Sequence, residues 1–118
     1  MKGAKIFEKV YEVVSRIPRG KVTTYAVIAS CVGTHPRVVA MALKRNPRPI
    51  EIPCHRVIRS DRSIGGYTPG GPEVKRALLK EEGVRFDGNG RVLEEFVIRD
   101  PQQLCESRID KRKAFIST

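Results

Sequence analysis

The 118-residue sequence predicts a mainly helical domain with short β-hairpins and a helix-turn-helix. Apolar residues recur at helical spacing near the N-terminus. Two further helical segments flank a glycine-containing turn, which is the helix-turn-helix pattern. The second half carries short apolar runs between glycine-rich turns, which indicate hairpins. We place one domain at residues 1–100 and a basic, polar tail at 101–118, which we expect to be partly disordered.

The first predicted helix covers residues 5–17. Its apolar positions repeat every three or four residues, which places them on one face that can pack against a core. Pro18 and Gly20 follow and end the helix. The residues expected to be buried are Ile6, Val10, Val13, Val14 and Ile17.

Two shorter helices follow and form the helix-turn-helix pattern. The second helix begins after Thr23 or Thr24, either of which can serve as its N-cap, and ends at Gly33. Pro36 suits the first turn of the third helix, where a missing N–H costs nothing, and Asn46 ends it. Many helical hairpins of this kind bind nothing, so the pattern alone leaves DNA binding open.

The remaining elements are a stiff connection, a strand pair, a helix and a hairpin. Three prolines make residues 46–53 extended, and residues 56–67 suggest a strand, a polar turn and a short return. A fourth helix begins near Pro72 and ends before Gly83. A small hairpin is predicted about the Asp87–Gly90 turn.

The charge balance favours a polyanionic partner. Lysine and arginine number 23 and aspartate and glutamate 13, a formal net charge of +10. The alternative is an ordinary solvated basic surface, because no single tract carries the excess. No apolar stretch approaches the roughly 20 residues that span a bilayer, and the N-terminus does not resemble a signal peptide. We therefore expect a cytoplasmic protein without a membrane partner.

The three cysteines are Cys31, Cys54 and Cys105. Their odd number and irregular spacing do not indicate a disulfide framework, which favours a reducing compartment. Cys31 and His35 lie four residues apart and are a candidate pair of metal ligands. No second pair has finger-like spacing, so the sequence predicts neither a metal nor a cofactor.

Cys54 is either a small buried packing residue or an activated thiol. The preceding prolines hold its backbone, and His55 and Arg56 raise the local positive potential, which favours the thiolate. Glu82 falls on the expected inward face of the fourth helix, where a carboxylate needs a partner. Carboxylate, imidazole and thiol then form a relay through a bridging water. That inward face is defined by Val74, Ala77 and Leu78.

At this point the sequence resembles a known family. The segment "IPCHRV" at 52–57 resembles the active-site signature of the O6-alkylguanine-DNA alkyltransferases, also called methylated-DNA–protein-cysteine methyltransferases. The resemblance runs from "IPRGKVTTYAVIA" through "RVVAMALKRNPRPIEIPCHRVI" to "GGYTPGGPEVKRALLKEEG", about residues 6–84. It implies the C-terminal domain of the family, which is a winged-helix-like helix-turn-helix domain.

The resemblance also implies a reaction. The alkyl group passes irreversibly from O6-alkylguanine in DNA, with O4-alkylthymine as an alternative substrate, to Cys54. His55 deprotonates Cys54 through a water, Glu82 orients His55, and Tyr25 donates a proton near N3 of the leaving guanine. Asn46 ties the recognition helix to the active-site segment. The protein is spent after one turnover, acts as a monomer on double-stranded DNA, and requires no cofactor.

DNA and base contacts are implied in the same way. Arg37 fills the gap left by the flipped base, and small residues on the third helix, Ala40 and Ala42, fit an approach to the narrow minor groove. Val57, Tyr67 and Thr68 line the base pocket. The other DNA contacts fall on Thr24, Tyr25, Lys44 and Arg45.

Two other functions stay open. The alkyltransferase-like proteins bind alkylated DNA without transferring the group, and they have another residue, often Trp, where this chain has Cys54. The short chain, which begins almost directly at the catalytic domain, and its "GVRFDGNGRVLEEF" segment resemble those proteins. The other possibility is a transcriptional or architectural DNA-binding protein in which Cys54 only packs in the core.

Overall fold

A computed structural model describes residues 2–67 and 69–105, without the side chains of residues 2–4. Two short 3₁₀ turns, Cys54–Arg56 and Glu94–Phe96, accompany the helices and strands. In chain order the helices and strands are α1 (Lys2–Val14), β1 (Val22–Thr24), α2 (Tyr25–Val32), α3 (Pro36–Lys44), β2 (Val57–Ile58), α4 (Gly71–Glu81) and β3 (Val97–Ile98).

The predicted fold class is confirmed, with four helices close to their predicted positions. α1, α2 and α3 pack on one another around a common apolar core that also includes Cys54. The predicted apolar face of α1 is buried there at Val10, Val13 and Val14, and Ile17 joins it from the following turn. Burial of this face stabilises the helix, because most helical stability in proteins comes from the packing of an apolar face.

Local capping explains the boundaries of the helix-turn-helix. The Oγ1 atom of Thr24 accepts a hydrogen bond from the backbone N–H of Val27 at 3.1 Å, so Thr24 is the N-cap of α2. Gly33 ends α2 with φ +83°, the left-handed conformation that glycine adopts without a Cβ clash. The Nδ1 atom of His35 accepts from the N–H of Arg37 at 3.0 Å and caps α3.

The strands pair differently from the prediction. β1 lies at the centre of a three-stranded parallel sheet, with Thr23 opposite Val57 of β2 and opposite Ile98 of β3. Residues 56–67 therefore do not form a strand and its return. Strand β2 pairs with distant β1 because that pairing buries Val57 and Ile58. The hairpin about Asp87 is present as an antiparallel bridge between Phe86 and Val92.

The buried face of α4 also differs from the prediction. Val74 and Ala77 are exposed, and Leu78 is half-buried. Lys75 and Leu79 are buried instead, and Glu82 follows on the same face because the three are spaced at i, i+4 and i+7. The inward direction of Glu82 is thus as predicted. The other buried residues of α4 are shifted by one position from those that the sequence predicts.

The segment after β3 is packed against the domain as far as the structure describes it. Residues 102–105 are helical, and Leu104 is 1% exposed in the core beside α1. Cys105 forms a disulfide with Cys31 of α2. The expectation that the cysteines form no disulfide is therefore wrong. The predicted tail thus begins with packed residues, and residues 106–118 lie outside the described part of the chain.

No single helix in the described ranges is long and apolar enough to cross a membrane. α2 and α3 meet that test only when taken together, as a pair bent by 103°.

Candidate active site

Cys54 lies at the start of a 3₁₀ turn that follows Pro53. Asn46 at the end of α3 fixes the segment before it: its Nδ2 donates to the carbonyl of Ile52 at 2.8 Å, and its Oδ1 accepts from the N–H of Arg48 at 2.8 Å. One amide side chain therefore links the end of the third helix to the segment before Cys54.

The Cys54 side chain is 5% exposed but contributes to the wall of a cleft of about 780 Å³. Residues from the exposed side of α3 and from the segment between β2 and α4 line the cleft. The residues that line it include Tyr25, Arg37, Ala40, Lys44, Arg59, Gly66, Tyr67 and Pro72. The predicted reactive thiol is thus buried but contributes to the lining of an open cleft.

His55, Arg56 and Glu82 form a compact charged network behind Cys54. The His55 ring is 0% exposed, and its Nε2 lies 2.9 Å from Oε2 of Glu82. Arg56 donates to both carboxylate oxygens of Glu82, each at 2.9 Å, and to the carbonyl of Ile17 at 2.7 Å. Paired donors of this kind fix the carboxylate plane, which in turn fixes the imidazole.

The electrostatics of the network assign the His55 tautomer. Burial raises the pKa of Glu82, but hydrogen bonds from Arg56 and His55 outweigh it and bring the pKa to about 2. Burial lowers the pKa of His55, against the opposing effect of Glu82. A neutral ring beside a carboxylate carries its proton on Nε2. Nδ1 then has a free lone pair, and this buried atom has no hydrogen-bond partner among the described residues.

The protonation state of the Cys54 thiol differs from the expectation. Burial raises the pKa of Cys54, while Asn46 and Lys75 oppose the rise. His55 is held neutral and Arg56 is committed to Glu82, so neither supplies the positive potential that the sequence suggested. The resting form of Cys54 is therefore a neutral thiol, which requires a base before it can attack.

Lys75 is a buried cation that the sequence pattern did not predict. It is 1% exposed, and its Nζ donates to the carbonyls of Val57 at 2.7 Å and Gly66 at 3.2 Å. The same atom lies 6.0 Å from the centre of the Tyr25 ring. Burial lowers its pKa to about 8, while the negative charge of an ionised Cys54 raises it. Lys75 thus links α4 to β2 and to the segment that contains Gly66, one of the residues that line the cleft.

The predicted base-pocket residues lie around this lysine. Val57 is buried and presents its carbonyl to Lys75, and the Tyr67 ring contacts the His55 ring edge-on at 6.4 Å between centroids. Tyr25, the first residue of α2, lines the cleft, and burial raises the pKa of its hydroxyl. The structure therefore brings Tyr25, Val57 and Tyr67 together near Cys54. Thr68 lies outside the described residues.

The exposed face of α3 carries part of the predicted DNA-contact set. Arg37, Ala40 and Lys44 are exposed, and all three line the cleft wall. Arg37 stands in the first turn of the helix, and Ala40 leaves a smooth surface one turn later. A ligand that entered the cleft from this side would meet two cations and a small residue between them.

Three predicted contacts lie elsewhere. Thr24 is buried, and its hydroxyl caps α2, so its side chain is not available at the surface. Ala42 is buried in the core rather than presented to a groove. Arg45 is exposed, but its guanidinium stacks over Phe7 of α1 at 5.9 Å and lines a second, apolar groove. Helix periodicity is responsible, because residues 42 and 45 lie off the face that carries 37, 40 and 44.

The candidate metal ligands are engaged otherwise. Cys31 is in the disulfide, and His35 uses its Nδ1 to cap α3. Within residues 2–67 and 69–105, no group of three or more histidine, cysteine, aspartate or glutamate side chains is arranged to hold a metal ion.

The chain is similar to a known protein family over most of its length. The 6-O-methylguanine DNA methyltransferase, DNA-binding domain, family model matches residues 5–84. The methylated-DNA–protein-cysteine methyltransferase of Methanothermobacter thermautotrophicus is 54% identical over 80 residues, and that of Pyrobaculum aerophilum is 58% identical over 67. These alignments cover 68% and 57% of this chain and 45% of each relative, so the chain spans about half the length of the curated relatives it matches.

Solved structures show the same likeness. O6-methylguanine-DNA methyltransferase from Pyrococcus kodakaraensis is 48% identical with a TM-score of 0.62, and the match covers 66% of this chain and 46% of that chain. S. pombe Atl1, in complex with damaged DNA containing O6-carboxymethylguanine, is 33% identical with a TM-score of 0.67, covering 80% and 95%. The matched region contains Cys54, His55 and Glu82, and the chain therefore belongs to the family of the 6-O-methylguanine DNA methyltransferase DNA-binding domain.

Proposed function

We propose that this protein repairs DNA by transferring the alkyl group of O6-alkylguanine to Cys54, once and irreversibly. O4-alkylthymine is an alternative substrate of the same chemistry. The single observation that carries the proposal is a free cysteine in the wall of an open cleft, directly before a buried imidazole that is held by a carboxylate. We expect a cytoplasmic monomer that acts on double-stranded DNA.

The proton leaves Cys54 through His55. The neutral imidazole has Nε2–H directed at Glu82, so Nδ1 accepts the thiol proton through a water. The thiolate attacks the alkyl carbon, a C–S bond forms, and the C–O bond to guanine O6 breaks. The electron pair stays on the guanine, which takes a proton from Tyr25. Lys75 stabilises the negative charge on sulfur before the attack.

The substrate atom lies inside a base pair, so the nucleotide must leave the stack to reach Cys54, which costs a few kcal/mol. We assign the filling of that gap to Arg37 on α3, and the support is that Arg37 is exposed and lines the cleft that holds Cys54. Ala40 permits close approach to a minor groove. The basic surface attracts phosphates without reading sequence, so binding weakens as salt rises.

A second candidate function is lesion recognition without transfer. The observation in its favour is the extent of the match to Atl1, which covers 95% of that chain, whereas the methyltransferase structure is covered to 46%. Cys54 is present, and the neighbouring His55 is hydrogen-bonded to the carboxylate of Glu82, which favours transfer over recognition alone.

The test is intact-mass and peptide analysis after the protein is mixed with a duplex containing O6-methylguanine. Transfer requires one added methyl group, located on Cys54, and the loss of O6-methylguanine from the DNA. Cys54→Ser is the matched variant and should bind the duplex without a change of mass. Preferential binding of the lesion duplex by the wild type with no added methyl would reject transfer and favour recognition, and neither an added methyl nor a preference for the lesion duplex would reject both functions.

A further inference from the structure

The disulfide between Cys31 and Cys105 lies outside the site described above and closes a loop of sequence separation 74. The loop contains Arg37, Asn46, Cys54, Lys75 and Glu82. Cys31 belongs to the last turn of α2, the helix whose first residue is Tyr25. A covalent tie at this end therefore fixes the helix that presents Tyr25 to the cleft.

Residues 100–105, which we call the strap, are built to reach that tie. The Oδ1 atom of Asp100 accepts from the N–H of Gln102 at 3.0 Å, which caps a single helical turn. Leu104 enters the core beside α1, and its carbonyl accepts from Nη1 of Arg16 at 3.2 Å. Strand β3, two residues before the strap, pairs with β1. The strap thus follows the sheet along the chain and is joined to α2 by the disulfide and to the segment after α1 by the hydrogen bond from Arg16.

We propose that the disulfide between Cys31 and Cys105, which holds the strap to α2, forms and breaks reversibly with the redox conditions. This site of thiol oxidation is separate from the reactive cysteine. Both cysteines are half-buried, so a small thiol reagent needs only a local opening to reach them. Their Cα atoms are 5.3 Å apart, inside the usual range for a disulfide. Cys54 is free and lies in the cleft wall, and the other two cysteines are paired with each other. This inference does not depend on the proposed function.

The exchange balances with a small-molecule disulfide such as oxidised glutathione. The thiolate of one cysteine attacks it to give a mixed disulfide and one released thiol. The second cysteine then displaces the other thiol, so two electrons pass to the small molecule. In the reduced state the Sγ of Cys31, which lies 3.4 Å from the carbonyl of Pro101, can donate a weak hydrogen bond there. The reduced strap therefore keeps its place but loses its covalent hold.

Reduction of the disulfide should lower the free energy of unfolding of the whole domain. A disulfide that closes a long loop restricts the unfolded chain strongly, and the packed Leu104 shows that the native strap has a fixed position to return to. The oxidation state of the surroundings would then determine how long the folded protein persists, without touching the group that reacts.

The test uses the full chain in glutathione buffers of graded ratio, with an alkylating agent added under denaturing conditions and adducts counted by mass. The oxidised monomer should carry one adduct, on Cys54, and the reduced protein three. Thermal melting should show the oxidised form more stable by about 10 °C or more. The double variant Cys31→Ser, Cys105→Ser should melt like the reduced wild type in every buffer, and Cys54→Ser should keep the redox shift.

Hydrogen exchange locates the effect. Reduction should speed exchange in residues 100–105 and at the C-terminal end of α2, while residues 54–58 stay protected. Three adducts at every glutathione ratio, a disulfide-linked dimer, or equal melting temperatures in the two states would each overturn the proposal. None of these readouts uses DNA, so their outcome is independent of alkyl transfer.

Discussion

The charged network behind Cys54 and the exposed face of α3 differ in how their side chains are held. His55 and Arg56 each hydrogen-bond to the carboxylate of Glu82 at 2.9 Å, and all three side chains are largely removed from water. Arg37 and Lys44 are exposed on α3. The comparison teaches that the groups proposed for proton transfer are fixed before the substrate arrives, whereas the groups proposed for DNA contact are free to follow its shape.

The largest effect should come from breaking the fixed region at Glu82. Glu82→Gln removes a carboxylate whose side chain is 6% exposed, leaves the Arg56 charge without its partner and releases the His55 tautomer. We expect a loss of about 3 kcal/mol in the free energy of unfolding and a fall in transfer rate of about 10²-fold or more. Denaturant titration and single-turnover kinetics measure the two effects.

Glu81→Gln is the matched control, since Glu81 is exposed one residue earlier and should change neither quantity. The pH dependence sharpens the test. The pKa of Glu82 falls from 4.5 to about 2 on folding, so its stabilisation is complete above 4.5 and is lost as the pH falls from 4.5 towards 2. The variant should lack that slope. An unchanged slope would show that Glu82 is not held in this network.

Lys75→Met should have the next largest effect. The change keeps the length of the side chain but removes a charge that opposes the raised pKa of Cys54, and it leaves the carbonyls of Val57 and Gly66 without this donor. We expect the thiol pKa to rise, transfer to slow about tenfold at neutral pH, and duplex binding to stay the same. Iodoacetamide reactivity against pH reports the thiol directly. Lys80→Met, on the exposed side of α4, should behave as wild type, and an unshifted thiol profile in Lys75→Met would remove its electrostatic role.

The most limited effect, confined to duplex repair, should come from the exposed face. Arg37→Ala should slow repair of a duplex about tenfold, because nothing then fills the gap beside the flipped base, and should leave reaction with free O6-benzylguanine unchanged. Arg48→Ala makes the same change of charge outside the cleft, so it corrects for general attraction to phosphates. Equal losses on both substrates, or an equal loss in Arg48→Ala, would contradict the role of Arg37.

The same two regions show what the sequence can reveal. Helix periodicity and caps predict α1 to α3, and the resemblance places Arg37, Ala40 and Lys44 on a face that is indeed exposed. The parallel sheet was missed because strands of two or three residues carry almost no local pattern. The disulfide was missed because a separation of 74 residues gives no spacing signal.

Within the network, the pairing of His55 with Glu82 follows from residue types. The two hydrogen bonds from Arg56 to Glu82 depend on how the 3₁₀ turn faces the end of α4. Lys75 was missed because a lysine in a charged helix is usually solvated. One signal was available: Lys75, Leu79 and Glu82 share a face, so an inward Glu82 implies an inward Lys75.

The central claim is that a neutral, buried thiol becomes a nucleophile only through the imidazole that Glu82 holds. The most direct measurement is the pH dependence of the single-turnover rate of alkyl transfer to Cys54. Because burial lowers the pKa of His55 below 6.5, the rate should be constant from below pH 6.5 to about pH 8 and should fall only on the acid side as the imidazole takes up a proton. A rate that instead climbs about tenfold with each pH unit from 6.5 towards 9, as a thiol ionising without a base would give, contradicts the account.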